Sequence, residues 1–200
     1  MIEEQVMIEE QVNKRTMQAM ESRSKIFDTA MRLFSEYGYE KVTVQRICKE
    51  AKVSVGDFYH HFKSKSAVFG ELHQRLNVQF LHMEEQIDQT LPYDLLVEEY
   101  FRCFAKNNIS IGPAILRILL APDNHLDLER DLLLDGVTKV VARGQDAGAF
   151  TREYSAEYIS RHLVIATRGL LLAWSLETVD MDLEREIEVF VRLELKIFRV

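Results

Sequence analysis

Residues 43–65 read TVQRICKEAKVSVGDFYHHFKSK. Two short helices fit this run, each opened by a hydroxyl residue. Thr43 can cap a helix whose inward positions are Val44, Ile47, Cys48 and Ala51. Ser54 can cap the next, with Asp57 three residues on as a capping-box partner. A tight Lys52-Val53 connection separates them. The second helix is brief, to about His60, and Lys63-Ser64-Lys65 breaks the pattern. A capped helix, a turn of three to four residues and a second short capped helix describe a helix-turn-helix, whose second helix enters a DNA major groove.

Working outward, Ile26, Ala30, Leu33, Phe34 and Tyr37 fall at i, i+4, i+7, i+8 and i+11, one buried helical face, and Gly38 supplies a left-handed stop. Downstream, a long helix is predicted from about Ser66 to Gln89. Pro92, Ile111-Gly112-Pro113, Pro122-Asp123 and Gly144 to Gly148 then separate candidate helices near 94–109, 113–121, 125–146, 155–178 and 183–198. No convincing run of alternating β-branched residues occurs, so the chain is expected to be all-α. From Ile159 to Leu176 apolar residues go all the way round, and the final helix carries Ile187, Phe190, Leu193 and Ile197 on one face. Such a pair needs its own core and a second surface, which a four-helix interface in a symmetric dimer would supply.

Charge divides the chain the same way. The 200 residues carry a net −7, which read alone argues against nucleic acid. Residues 1–12 hold four acids and no bases. Residues 13–65 hold eleven Lys/Arg against six Asp/Glu, or +5, and residues 66–200 hold fourteen against twenty-two, or −8. A basic head on an acidic body points to two jobs. Residues 1–6, MIEEQV, recur word for word at 7–12 and read as a duplicated start or an expression scar. The expected organisation is a disordered tail over 1–16, a DNA-binding domain over 17–65 and a helical domain for effector binding and dimerisation over 66–200. The acidic start is non-secretory and no apolar run would span a bilayer, so a cytoplasmic protein with no membrane partner is expected.

Around the second short helix stand groups suited to phosphates: Thr43 and Ser54 at helix N-termini, Tyr59, His60, His61, Lys63 and Lys65. Gln45 could pair bidentately with adenine, Val55 could touch a thymine methyl, and Gly56 leaves room for close approach. Asp57 has two readings, a partner of the Ser54 cap or an acceptor for cytosine N4. His60 and His61 point about 100° apart on a helix and cannot easily share a metal ion. With two cysteines, Cys48 and Cys103, and no CxxC spacing, neither metal nor cofactor is expected. Cys48 reads as a small core residue rather than a redox sensor.

The stretch Ile26 to Phe69 resembles the N-terminal domain of TetR-type (tetracycline-repressor-like) transcriptional regulators. The residues that carry this are Ala30, Phe34, Gly38-Tyr39, Thr43-Val44, Ile47, Ala51, Val53-Ser54-Val55-Gly56, Phe58-Tyr59, His61-Phe62 and Lys65. Gly144 to Phe150 resembles that family's connection between its seventh and eighth helices, and Gly169 to Trp174 its penultimate helix. The resemblance implies phosphate contacts by Thr43, Ser54, Tyr59, His61 and Lys65. It places Gln45, Val55, Gly56 and Asp57 nearest base edges. In Asp57 and Cys48 the chain departs from the family, which often has a small or hydroxyl residue at the first position and usually alanine at the second.

The resemblance also implies a small-molecule cavity among the central helices. Met83, Tyr100, Phe101, Cys103, Phe104, Leu116, Leu120 and Trp174 are candidate apolar lining, with Arg117, His162 or Arg168 as polar anchors. Arg168, inside IATRGLLLAW, needs a carboxylate partner or an anionic ligand if buried. The function expected is a ligand-responsive repressor, dimeric through the last two helices at about 155–198, released from a palindromic operator by a small molecule. An enzyme is the rival class, but no nucleophile elbow, P-loop, glycine-rich dinucleotide turn or HExxH occurs. A ligand-sequestering helical module is the other, and the set of Tyr59, His61 and Lys65 argues against it.

Overall fold

A computed structural model describes the backbone of residues 2–120, 131–177 and 180–200, with side chains described from Thr16 onward in those ranges. Eight helices are present among the described residues: α1 (Ile2–Tyr37), α2 (Val44–Ala51), α3 (Val55–His61), α4 (Ala67–Glu84), α5 (Tyr93–Leu119), α6 (Leu132–Asp146), α7 (Ala156–Ser175) and α8 (Leu183–Phe198). Pairing outside helices is limited there to one isolated antiparallel bridge, Phe150 with Arg199. The chain is therefore all-α. It divides into two compact units, Met1–Leu72 and His73–Val200. The bounds of α1 take in the duplicated segment from Ile2. The side chains of 1–15, where all but the end of the expected tail lies, are outside the described residues.

The first unit packs α1, α2, α3 and the start of α4 around Ile26, Ala30, Leu33, Phe34, Ile47, Phe58, Phe62, Val68 and Phe69, all at most 2% exposed. Cys48 is buried with them, and burial pushes its thiol up, away from thiolate chemistry. Tyr37 departs from the predicted face. It is 45% exposed, and its ring takes the Arg46 guanidinium at 3.8 Å.

In the second unit, α5 packs on α8, α6 and α7, and α7 packs on α6 and α8. Leu96, Val97, Phe101, Val137, Val141, Ile159, Leu163, Ile187 and Val191 form its centre. Gly136 lets α6 meet α5, since a Cβ there would lie 2.2 Å from the Tyr100 ring. The predicted break at 111–113 is a kink inside α5 rather than a gap between helices. Gly112 takes φ 78, ψ 161, and Pro113 resumes the helix without needing an N–H donor. The predicted long helix to Gln89 ends at Glu84. α6 begins at Leu132, capped by Asp131, and the part of the helix expected over 125–130 lies outside the described residues. Buried Glu98 is met by Arg192, Nη2 to Oε2 at 2.7 Å, and the same guanidinium reaches Glu188 at 2.7 Å. These carboxylates hold the Arg192 guanidinium more firmly charged than usual.

Candidate nucleic-acid interface and effector clefts

The two capped helices form as their end residues require. Thr43, extended at φ −98 and ψ 157, accepts a hydrogen bond on Oγ1 from the Arg46 amide at 3.2 Å. Lys52 ends α2 in the left-handed conformation, φ 56, and the Val53 amide returns to the Cys48 carbonyl at 3.0 Å. Ser54 then opens α3 in a full capping box. The Asp57 amide donates to Ser54 Oγ at 3.0 Å, while the Ser54 amide and hydroxyl donate to Asp57 Oδ2 at 3.1 and 2.8 Å. These bonds hold the Asp57 carboxyl below its ordinary range.

Phe58 and Phe62 anchor α3 in the core, which turns its other side outward. Val55 and Tyr59 are 41% and 54% exposed, and Gly56, Asp57 and His60 are exposed beside them. Thr43, Gln45, Ser54 and Lys63 are exposed as well, so nine of the eleven candidate contact residues share open surface. At Gly56 an added Cβ would meet only Ser54 Oγ, at 3.5 Å. That is ordinary contact, so no close packing inside the protein requires glycine there.

The other two candidates are half-buried. His61 sits at the end of α3, where burial, followed by His60 and Arg23, depresses its pKa, so it is neutral near pH 7. Its ring lies 5.1 Å from that of His60, edge to face at 71°. Lys65 turns inward: Nζ donates to the Tyr39 carbonyl at 2.8 Å and the Val42 carbonyl at 3.0 Å, and lies 3.9 Å from the centre of the Tyr39 ring.

Three basic residues not predicted for this region brace it. Arg23 pairs with Glu71 at 2.6 Å and covers the Phe62 ring, tying α1 to α4. Arg32 bonds Glu50 and Glu36, and Arg46 reaches Glu50 at 3.5 Å. Only the i, i+4 pairs, Arg32–Glu36 and Arg46–Glu50, were detectable from spacing.

Of the eleven candidate effector residues only Met83 and Cys103 share a cleft, and Leu116 is buried core. Met83 lines a cleft of about 340 Å³ between the end of α4 and α5, with Ile87, Leu91, Cys103, Arg102, Lys106, Glu99, Gln86 and Asp88. Trp174 lines a second, about 320 Å³, with Pro113, Glu177, Asp180 and Met181. Phe101 is fully buried core. Tyr100 is buried, with its hydroxyl donating to Glu84 Oε1 at 2.8 Å, and burial raises the phenol strongly. Phe104 packs on the core, while Leu120 is 40% exposed. Arg117 binds the Ser175 carbonyl and Glu177, both at 3.1 Å. Arg168 is half-exposed rather than buried and pairs with the α6 cap Asp131 at 2.7 Å. His162, exposed, bonds Glu194 at 2.8 Å.

Residues 26–72 match the family model for bacterial regulatory proteins of the tetR family. Over these residues the helix-turn-helix segment is of the tetR type. Similar proteins include the HTH-type transcriptional repressor DhaR of Mycobacterium sp. (strain GP1), 25% identical over 179 residues, or 84% of this chain and 89% of DhaR. The HTH-type transcriptional regulator AcrR of Shigella flexneri is 35% identical over 83 residues, 42% of this chain and 39% of AcrR. Among solved structures, Thermus thermophilus FadR, a TetR family transcriptional repressor in complex with lauroyl-CoA, aligns with TM-score 0.59 and 28% identity over 86% of this chain and 93% of its own. These relatives are named as transcriptional regulators or repressors. No helix among the described residues is long and apolar enough to cross a membrane.

Proposed function

We propose that this protein is a cytoplasmic TetR-type repressor that binds a palindromic DNA operator as a homodimer and leaves it when a small molecule binds the helical unit. The carrying observation is the outward face of α3, where Val55, Gly56 and Tyr59 stand exposed on a helix anchored by Phe58 and Phe62. Gln45, Val55 and Gly56 are assigned to base edges, and Asp57 beside them holds the Ser54 cap. Thr43, Ser54, Tyr59, His60, His61 and Lys63 are assigned to phosphates.

The dimer is assigned to α7 and α8. Tyr158, Ile165 and Leu172 recur every seven residues on α7 and are 48%, 62% and 45% exposed. Val189, Leu193 and Ile197 recur every four on α8 and are 43%, 54% and 66% exposed. Apolar stripes this open on adjacent helices need a partner, and the same stripes on a second copy complete a four-helix interface. The dimer would set two α3 helices about one duplex turn apart, ~34 Å.

For the effector, the cleft of Met83, Ile87, Leu91 and Cys103 offers an apolar floor with a charged rim of Arg102, Lys106 and Glu99. Lauroyl-CoA, bound by the FadR relative, is the first compound to test. Its addition to an operator complex, followed by fluorescence anisotropy, should release DNA in a saturable manner if the cleft accepts acyl thioesters. A ligand that binds the DNA-free geometry better shifts the population by that difference in affinity.

A further inference from the structure

We propose that Lys65 is a positioning residue for DNA contact and not a phosphate ligand: its ammonium clamps the turn between α1 and α2, and so places Thr43 and the start of α2. The inference rests on the DNA-binding reading above. Lys65 Nζ donates to two backbone carbonyls, Tyr39 at 2.8 Å and Val42 at 3.0 Å, and presents its charge to the Tyr39 ring at 3.9 Å. An ammonium has three donors, and this geometry directs two of them and the face of its charge inward.

The turn it grips packs on the core at both ends, through half-buried Tyr39 and buried Val42. The Tyr39 ring lies against Phe34 and Phe69, with centroids at 5.1 and 5.3 Å, and Val42 is 1% exposed. Its own closing hydrogen bond, Val42 amide to Tyr39 carbonyl, is 3.3 Å, near the long end of the range. The Val42 carbonyl belongs to the peptide unit that carries the Thr43 amide. Fixing that carbonyl therefore fixes the plane of a group at the very N-terminus of α2, next to the Thr43 hydroxyl that caps it. Lys63, two residues earlier and exposed, is free of this geometry, so the pair divides the work: Lys63 outward toward phosphate, Lys65 inward toward the turn.

The test measures operator affinity across a salt series for wild type, Lys65→Arg, Lys63→Met, Thr43→Ala and the Thr43→Ala/Lys65→Arg double variant. Arginine keeps the charge, but a planar guanidinium does not fit as a compact point between two carbonyls and a ring. We expect Lys65→Arg to lose about tenfold in affinity at every salt with the slope unchanged, and Lys63→Met to flatten the slope by about one. In the Thr43→Ala background, Lys65→Arg should add less than about twofold, because both changes act on one contact. Lys65→Arg binding like wild type, or losses that multiply independently, would overturn the proposal.

A measurement on the unmodified protein covers a variant that fails to fold. The Lys65 ammonium nitrogen signal should be protected from solvent exchange without DNA and hold its shift when operator is added. A signal that appears or moves only in the complex would mark a phosphate ligand and overturn the clamp. Loss of any selective complex by the wild type would instead refute the DNA-binding reading, and the free-protein signal would still report on the clamp.

Discussion

Asp57 and Ser54 hold each other at the start of α3: Ser54 Oγ accepts from the Asp57 amide at 3.0 Å, and Asp57 Oδ2 accepts from the Ser54 amide and hydroxyl. α3 has seven residues, too few to stand without help from its ends. Ser54→Ala should lower stability by about 1 kcal/mol, the ordinary cost of an N-cap, and should reduce operator affinity further than that loss explains if Ser54 also meets phosphate. Denaturant melts alongside anisotropy titrations separate the two effects.

The Asp57 carboxyl lies below its ordinary pKa because Ser54 bonds favour its charged form. A depressed acid contributes stability that is present above its unfolded pKa and lost as pH falls through the folded value. Asp57→Asn should therefore remove part of the acid sensitivity of the first unit between about pH 4 and lower values, read by hydrogen exchange in α2 and α3.

His61 has the same sign in a higher pH window. Burial, His60 and Arg23 depress its pKa, so protonation is resisted in the folded state. The unfolded chain binds the proton first, and stability falls as pH drops from about 6.5 toward the folded value, then levels off. Operator binding runs the other way: a phosphate at His61 favours the imidazolium, so affinity should rise on acidification through this window. His61→Gln should flatten both profiles, as thermal melts and anisotropy at pH 5.5 to 8 would show.

Gly136 faces the Tyr100 ring at a distance no side chain can share. Gly136→Ala should destabilise the second unit by about 1–3 kcal/mol through overpacking. In a Tyr100→Leu background the same substitution should cost less, and a double-mutant cycle from urea melts gives that coupling.

Ile165 and Leu193 stand on the exposed stripes of α7 and α8. Ile165→Glu with Leu193→Glu should yield monomers by analytical ultracentrifugation with helical content intact, and should weaken operator binding by the loss of paired half-sites. A dimer that survives both changes would place the interface elsewhere.

The helix-turn-helix was legible because its signals are local. Thr43, Ser54 with Asp57, and Gly38 each act within four residues of themselves, and the structure forms the caps and the stop where those residues stand. Lys52 was not readable as a left-handed stop, since lysine has no intrinsic preference for positive φ and adopts it where α2 must turn into Val53. Tyr37 shares the period of the buried face yet faces Arg46, because periodicity does not reveal where a helix leaves its core. The partners of Lys65, Arg168 and Glu98 lie 23 to 94 residues away in the chain, beyond any spacing rule. The effector candidates scatter for the same reason: aromatic residues on α5 look alike in sequence, whether they enter the core, as Phe101 does, or flank it, as Phe104 does.

Reading of duplex DNA through α3, by two copies of the chain together, is what the proposed function requires. Fluorescence anisotropy on DNA from upstream of its own gene, against a scrambled duplex of equal length, tests it directly when run from low to physiological salt. The expected result is a saturable complex at least about a hundredfold tighter on one palindromic site, with affinity falling steeply and log-linearly as salt rises. Equal binding to both duplexes, or none that depends on salt, would contradict it.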